Sequence, residues 1–136
     1  IAAAVAGKLK CLKYLHENGC PWDESTCIAA AVAGKLKCLK YLHENGCPWN
    51  SSVCNRSAYH GRLACLEYAH ENGCPWNHRS QLAVLSSKDR ECYWYAKRNG
   101  CPGQWLHHPI WALNLNNAFP FNRVGQMKPT STICIQ

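Results

Sequence analysis

Residues 28–49 read IAAAVAGKLKCLKYLHENGCPW, and residues 1–22 repeat that string letter for letter. The frame returns as GRLACLEYAHENGCPW over residues 61–76, with twelve of sixteen positions unchanged, and as KDRECYWYAKRNGCPG over residues 88–103. Cys11, Cys38, Cys65 and Cys92 hold one place in the frame, Tyr14, Tyr41, Tyr68 and Tyr95 another, and Asn-Gly-Cys-Pro runs open at Asn18, Asn45, Asn72 and Asn99. A constant spacing of 27 residues implies one structural unit used about four times, each copy burying an apolar face against the next.

Within a unit the pattern predicts two helices and no strand. Asp23 or Glu24 opens the first, with Ser25 in its initial turn, and Cys27 to Ala33 form its body before Gly34 ends it. That helix is small and apolar nearly all round, so it must be surrounded by neighbours. The second runs from about Lys35 to Glu44. At about 100° per residue, Leu36, Cys38, Leu39, Tyr41 and Leu42 cover a broad arc, while Lys37, Lys40 and Glu44 share a narrow one. Asn45-Gly46 then follows a period of 3.6, so Gly46 reads as a left-handed helix end, and Pro48 forbids continuation. Trp22, Trp49 and Trp76 are expected to fill the gap between one helix pair and the next.

The run from Gly34 to Asn50, GKLKCLKYLHENGCPWN, resembles the second half of an ankyrin repeat, G-H-L-E-V-V-K-L-L-L-E-N-G-A-D-V-N. In that register Leu36, Cys38, Leu39, Tyr41 and Leu42 fall on the outer-helix core, Gly46 on the helix-ending glycine, and Cys47 and Trp49 on the small and apolar positions after the turn. The resemblance covers residues 1–103 and implies an all-α, helix-turn-helix solenoid built of short Cys-Pro-Trp units. Two departures stand out. The family's T-P-L-H opening reads Ser25-Thr26-Cys27-Ile28, and the unit is shorter than the usual repeat of about 33 residues. The missing residues are those that build the projecting β-turn finger, which should be shortened or absent. Family members bind partners with fingertips and inner helices together, so only the inner-helix surface remains.

Composition bounds the alternatives. In 136 residues, 47% hydrophobic and 17% charged with six Trp, there is room for one modest core and none for a large two-domain enzyme. Eleven Cys would suggest a disulfide framework in a secreted chain, but the count is odd and no signal-like segment or apolar run of about 18 residues occurs. A reducing, cytoplasmic or nuclear setting is expected. The chain begins at Ile1 inside a unit, without Met, and so reads as a fragment. No C-x-x-C occurs, and neighbouring members of the Cys38 and Cys65 ladder should stand about 8–10 Å apart, beyond metal or disulfide reach. The four ladder thiols are therefore expected to be buried, reduced and unligated, with no cofactor and no metal. His16, His43 and His70 share only two letters with H-E-x-x-H, and no nucleophile has a plausible base beside it, which points away from an enzyme.

Two binding functions remain. The net charge of +7 includes Lys8, Lys10 and Lys13, repeated as Lys35, Lys37 and Lys40, a stripe suited either to solvation or to nucleic acid and anionic surfaces. Glu67 interrupts it in the third copy. The favoured reading is a non-catalytic protein-binding scaffold that uses its inner-helix surface, with nucleic acid unlikely and no membrane span. Copies differ most at the inner-helix entries, so the candidate contacts are Asp23, Glu24, Ser25, Asn50, Ser51, Ser52, Asn55, Arg56, Asn77, His78 and Arg79. In the fourth copy Arg90 stands where Leu9, Leu36 and Leu63 stand, and Ser86, Ser87 and Lys88 replace Val32, Ala33 and Gly34, as a terminal cap would require. From Gln104 to Gln136 the repeat stops. Ile110 to Leu115, with Trp111, either covers the last helix pair or lacks fixed order, and residues beyond Gly103 are expected to contribute little stability.

Overall fold

The computed structural model describes residues 1–105 together with Pro109 and Ala112. The described residues form eight helices and no strand: α1 (Ala2–Ala6), α2 (Leu9–Glu17), α3 (Glu24–Ala33), α4 (Leu36–Glu44), α5 (Ser51–Tyr59), α6 (Leu63–Glu71), α7 (His78–Ser87) and α8 (Arg90–Arg98). Odd-numbered helices pack in one row and even-numbered helices in a second, with each pair antiparallel across the layers. This is the helix-turn-helix solenoid that the repeat implies. The segment 18–23 between α2 and α3 carries no hairpin finger.

Each boundary has a local cause. Asp23, Asn50 and Asn77 cap the inner helices, accepting from the backbone N–H of Ser25 (3.0 Å), Ser52 (2.8 Å) and Arg79 (2.9 Å). At Asn77 the cap is reciprocal, because its own N–H donates to the Ser80 hydroxyl at 3.1 Å. The Asn-Gly pair at each outer-helix end divides two tasks. The Asn18, Asn45, Asn72 and Asn99 side-chain amides donate to the carbonyls of Tyr14, Tyr41, Tyr68 and Tyr95, all at 2.8 Å, beside the bond that each asparagine's own backbone N–H makes to the same carbonyl at 3.1 Å. Gly46 then takes φ +82°, and the Cys47 N–H returns to the Leu42 carbonyl at 2.9 Å. A Cβ on Gly46 would meet no atom within 4 Å, so only the backbone resists a side chain there. Gly46→Val is expected to cost at least about 1 kcal/mol, read as a lower urea midpoint at unchanged slope. An unchanged midpoint would mean that this turn tolerates a branched residue at positive φ.

The core is a spine of small side chains from the inner helices, Ala4, Cys27, Ala30, Ala31, Val53, Cys54, Ala58 and Val84. It is flanked by larger ones from the outer helices, Leu39, Leu42 and Leu66. Alanine lets the inner row approach closely, and leucine fills the space between layers. Cross-unit ties sit at the helix-pair turns. Arg62 lies over Gly34 and its Nε donates to the Val32 carbonyl at 3.0 Å, which binds the third unit to the second. In the fourth unit the same frame position is Asp89, which caps α8 by accepting from the Cys92 N–H at 2.8 Å. Lys88, where earlier units have glycine, is held at φ +58°.

The two ends differ from the middle. Tyr14 is 65% exposed and Leu15, Val5 and Ile1 are also exposed, because among the described residues no helix pair lies against that face of α1 and α2. Cys11, expected to be buried with its ladder mates, is exposed for the same reason, whereas Cys38, Cys65 and Cys92 are buried. At the other end packing runs past Gly103. The Trp94 indole donates to the Ala112 carbonyl at 2.6 Å, the Gln81 amide to the Gln104 carbonyl, and Trp105 stands edge-on to Tyr93 with ring centroids 5.3 Å apart. The fourth unit is therefore not a water-facing terminus on all sides: Arg90 and Ser86 are exposed, but Tyr93 and Trp94 are covered. Apart from Pro109 and Ala112, the reading of Ile110 to Leu115 and Trp111 as a cap, and of the rest of the tail as lacking order, lies outside the described residues.

Candidate partner-binding surface

The repeat frame places every exposed inner-helix side chain on one continuous face. Three positions per unit supply most of it: Ser25, Ser52 and Arg79; Ala29, Arg56 and Ala83; and Val32, Tyr59 and Ser86. Between α5 and α7 this face opens into a groove of about 210 Å³ lined by Ser52, Asn55, Arg56, Tyr59, Arg79 and Ala83. Four of the sequence-derived candidates, Ser52, Asn55, Arg56 and Arg79, therefore meet in one place. Asn55 is anchored from behind, its side-chain oxygen accepting from the Ser80 hydroxyl. Tyr59 is 50% exposed and stands edge-on to His60.

The other candidates divide by the work their side chains do. Asp23, Asn50 and Asn77 have their side-chain oxygens engaged in helix caps. The hydrogen bonds from Ser25 hold the Asp23 carboxyl below the usual carboxylate range. Glu24, Ser25 and His78 are exposed at helix starts and Ser51 is half-buried, all outside the groove. Tyr59 and Ala83 were missed among the candidates. Tyr59 carried a signal, since it occupies the place of Val32 and Ser86 and is the one aromatic at that frame position.

The opposite face is occupied by aromatic triads that join successive units. His16 stacks on Trp22 at 3.9 Å and 6°, and both stand edge-on to Tyr41 of the next unit, at 6.0 and 6.2 Å. His43, Trp49 and Tyr68 repeat the arrangement, as do His70, Trp76 and Tyr95. The histidine ladder is thus part of the packing between units. Lys13 and Lys40 extend over the Tyr41 and Tyr68 rings at 5.6 and 5.5 Å, which leaves Lys8, Lys10, Lys35 and Lys37 as the exposed remainder of the basic stripe.

The thiols form closer neighbours than a ladder one unit apart. Cys54 donates to the Cys74 carbonyl at 3.8 Å, and Cys27 neighbours Cys47 in the same way, so each inner helix meets the loop after its own outer helix. Cys47 and Cys74 also donate to the Asp23 and Asn50 carbonyls at 3.2 and 3.1 Å. The adjacent Cys47 and Cys74 thiols, and then burial, push the Cys27 and Cys54 thiols well up. Burial takes Cys101, and against the opposing charge of Arg62 also Cys65, up to about 11, so these thiols stay protonated and weakly nucleophilic at neutral pH. Among the described residues no group of three or more His, Cys, Asp or Glu is placed to hold a metal ion. His107 and His108 lie outside them.

The family model of ankyrin repeats (many copies) matches residues 27–70, from the first inner helix that is complete through the outer helix of the following unit. Residues 27–70 are ankyrin-like repeats. Ankyrin repeats mediate protein–protein interaction and are typically non-enzymatic. No match is found among curated proteins or among solved structures. No helix among the described residues is long and apolar enough to cross a membrane.

Proposed function

We propose that this ankyrin array is a non-catalytic scaffold that binds a protein partner along its inner-helix face, in a reducing intracellular setting. The supporting observation is the groove between α5 and α7, where Asn55, Arg56 and Tyr59 stand at the places of Ile28, Ala29 and Val32 in the second unit. The outer face is fixed by the aromatic triads and changes little from copy to copy, whereas Ser52, Asn55, Arg56, Tyr59 and Arg79 are open to contact and hold no unit together except through Asn55. Without β-turn fingers, a partner must lie along the helices themselves.

A photo-crosslinking amino acid at Ala83 or Tyr59, compared with the same group at Lys37 on the outer helix, tests this in cells. A discrete protein adduct from the inner positions alone is the expected outcome. Adducts only from Lys37, or adducts to nucleic acid, would transfer the function to the lysine stripe. In that case binding should also weaken steeply as salt is raised.

A further inference from the structure

We infer that the groove between α5 and α7 selects an acidic segment of its partner, with one Asp or Glu side chain held between Arg56 and Arg79. This deepens the inner-face reading and rests on it. The two arginines come from adjacent inner helices and line one groove of about 210 Å³ that contains no carboxylate. Neither guanidinium has a hydrogen-bond or ion-pair partner among the described residues. That distinguishes them from Arg62, which lies across Gly34 and donates to the Val32 carbonyl.

The rest of the lining fits the same ligand. The Ser52 backbone N–H donates to the Asn50 cap, while its hydroxyl has no partner among the described residues and is open to donate. Asn55 uses its oxygen to accept from Ser80, which leaves its amide N–H groups as the available ones. The lining thus offers donors, and its acceptors are largely engaged, an arrangement that recognises carboxylate oxygens and discriminates against an amide or a cation. Tyr59 and Ala83 supply apolar walls for the side chain's methylenes. On α7 itself, Leu82 is 55% exposed beside the groove lining. A groove of this size admits a side chain from an extended peptide rather than a helix. One unit upstream, between α3 and α5, Ala29 and Ser52 stand at the two arginine positions, so the acidic residue has one preferred place along the array.

Fluorescence anisotropy with the full chain and a fluorescein-labelled alternating Glu-Ala peptide tests the inference, with an alternating Gln-Ala peptide and an oligothymidylate as comparison probes. The Glu-Ala peptide is expected to bind and the Gln-Ala peptide to bind at least about tenfold more weakly. The double variant Arg56→Gln/Arg79→Gln should lose at least about tenfold in affinity, the effect of one charge-assisted hydrogen bond. Lys10→Gln/Lys37→Gln, on the outer face, should lose much less. Thermal unfolding of both variants reports whether either is misfolded, and single Arg→Lys variants, which keep the charge but not the fork, should bind at intermediate strength. Equal binding of both peptides, unchanged binding in the arginine variant, or tighter binding of the oligothymidylate overturns the inference. If the acidic peptide fails while the Ala83 crosslinker still captures a protein, acid selectivity alone is wrong. If both fail, the inner-face reading falls with it.

Discussion

Ending the chain after Gly103 is expected to lower the free energy of unfolding by about 3–5 kcal/mol, the range found when a large aromatic side chain is removed from a core. Truncation removes Trp105, whose ring meets Tyr93 and whose indole N–H donates to the Cys101 carbonyl at 2.9 Å. It also removes the Ala112 carbonyl that accepts from Trp94. Tyr93 is fully buried and Trp94 is 7% exposed, so their apolar surface would be opened to water at the end of the array. Urea unfolding of residues 1–103 beside the full chain measures the difference, and Trp105→Ala in the full chain isolates one part of it. Equal midpoints would mean that residues beyond Gly103 only rest on the fourth unit.

Trp49→Ala is expected to cost about 3 kcal/mol and to alter the shape of the unfolding transition as well as its midpoint. Trp49 stacks on His43 of its own unit at 3.8 Å and meets Tyr68 of the next at 6.1 Å, so it belongs to a junction rather than to a single unit. In a solenoid the junction terms make neighbouring units unfold together. Weakening one in the middle should separate the first two units from the last two, giving a broader transition, or two, in tyrosine and tryptophan fluorescence. Trp22→Ala should cost less, because the unit it releases is the most exposed one. A Trp49→Ala transition as steep as wild type would show that the inner-helix alanines alone carry the coupling.

Much of the architecture was legible because it rests on local rules repeated at a fixed interval. The helix ends at Gly34 and Gly46, the absent finger and the burial of Leu39 and Leu66 all follow from period, breaker residues and small-residue content. What escaped depends on which of two uses a side chain adopts. Asn50 and Asn77 read as surface recognition residues, whereas the local backbone geometry engages their side chains as caps. The Cys27 and Cys47 neighbours were hidden because spacing between ladder members describes distance along the array, whereas these two meet across the layers of one unit. Trp105 had no sister residue in the other copies, so comparison within the chain offered nothing to align it with. The groove followed from the frame in part: Ser52, Asn55, Arg56 and Arg79 were legible as divergent positions, but their convergence needed the packing of α5 on α7.

The aromatic triads carry a genetic consequence. His16 and Trp22 present the same trailing face as His43 and Trp49, since residues 1–22 and 28–49 are identical, and Tyr41 and Tyr68 present the same leading aromatic. Excising residues 23–49 joins Trp22 to Asn50 in unbroken frame and sets His16 and Trp22 against Tyr68, a junction already used elsewhere in the chain. Duplicating the same stretch is equally silent at every seam. Unequal recombination between the identical tracts therefore changes the length of the solenoid one unit at a time without creating an unmatched interface, while each event moves the Arg56 and Arg79 groove by one unit along the inner face.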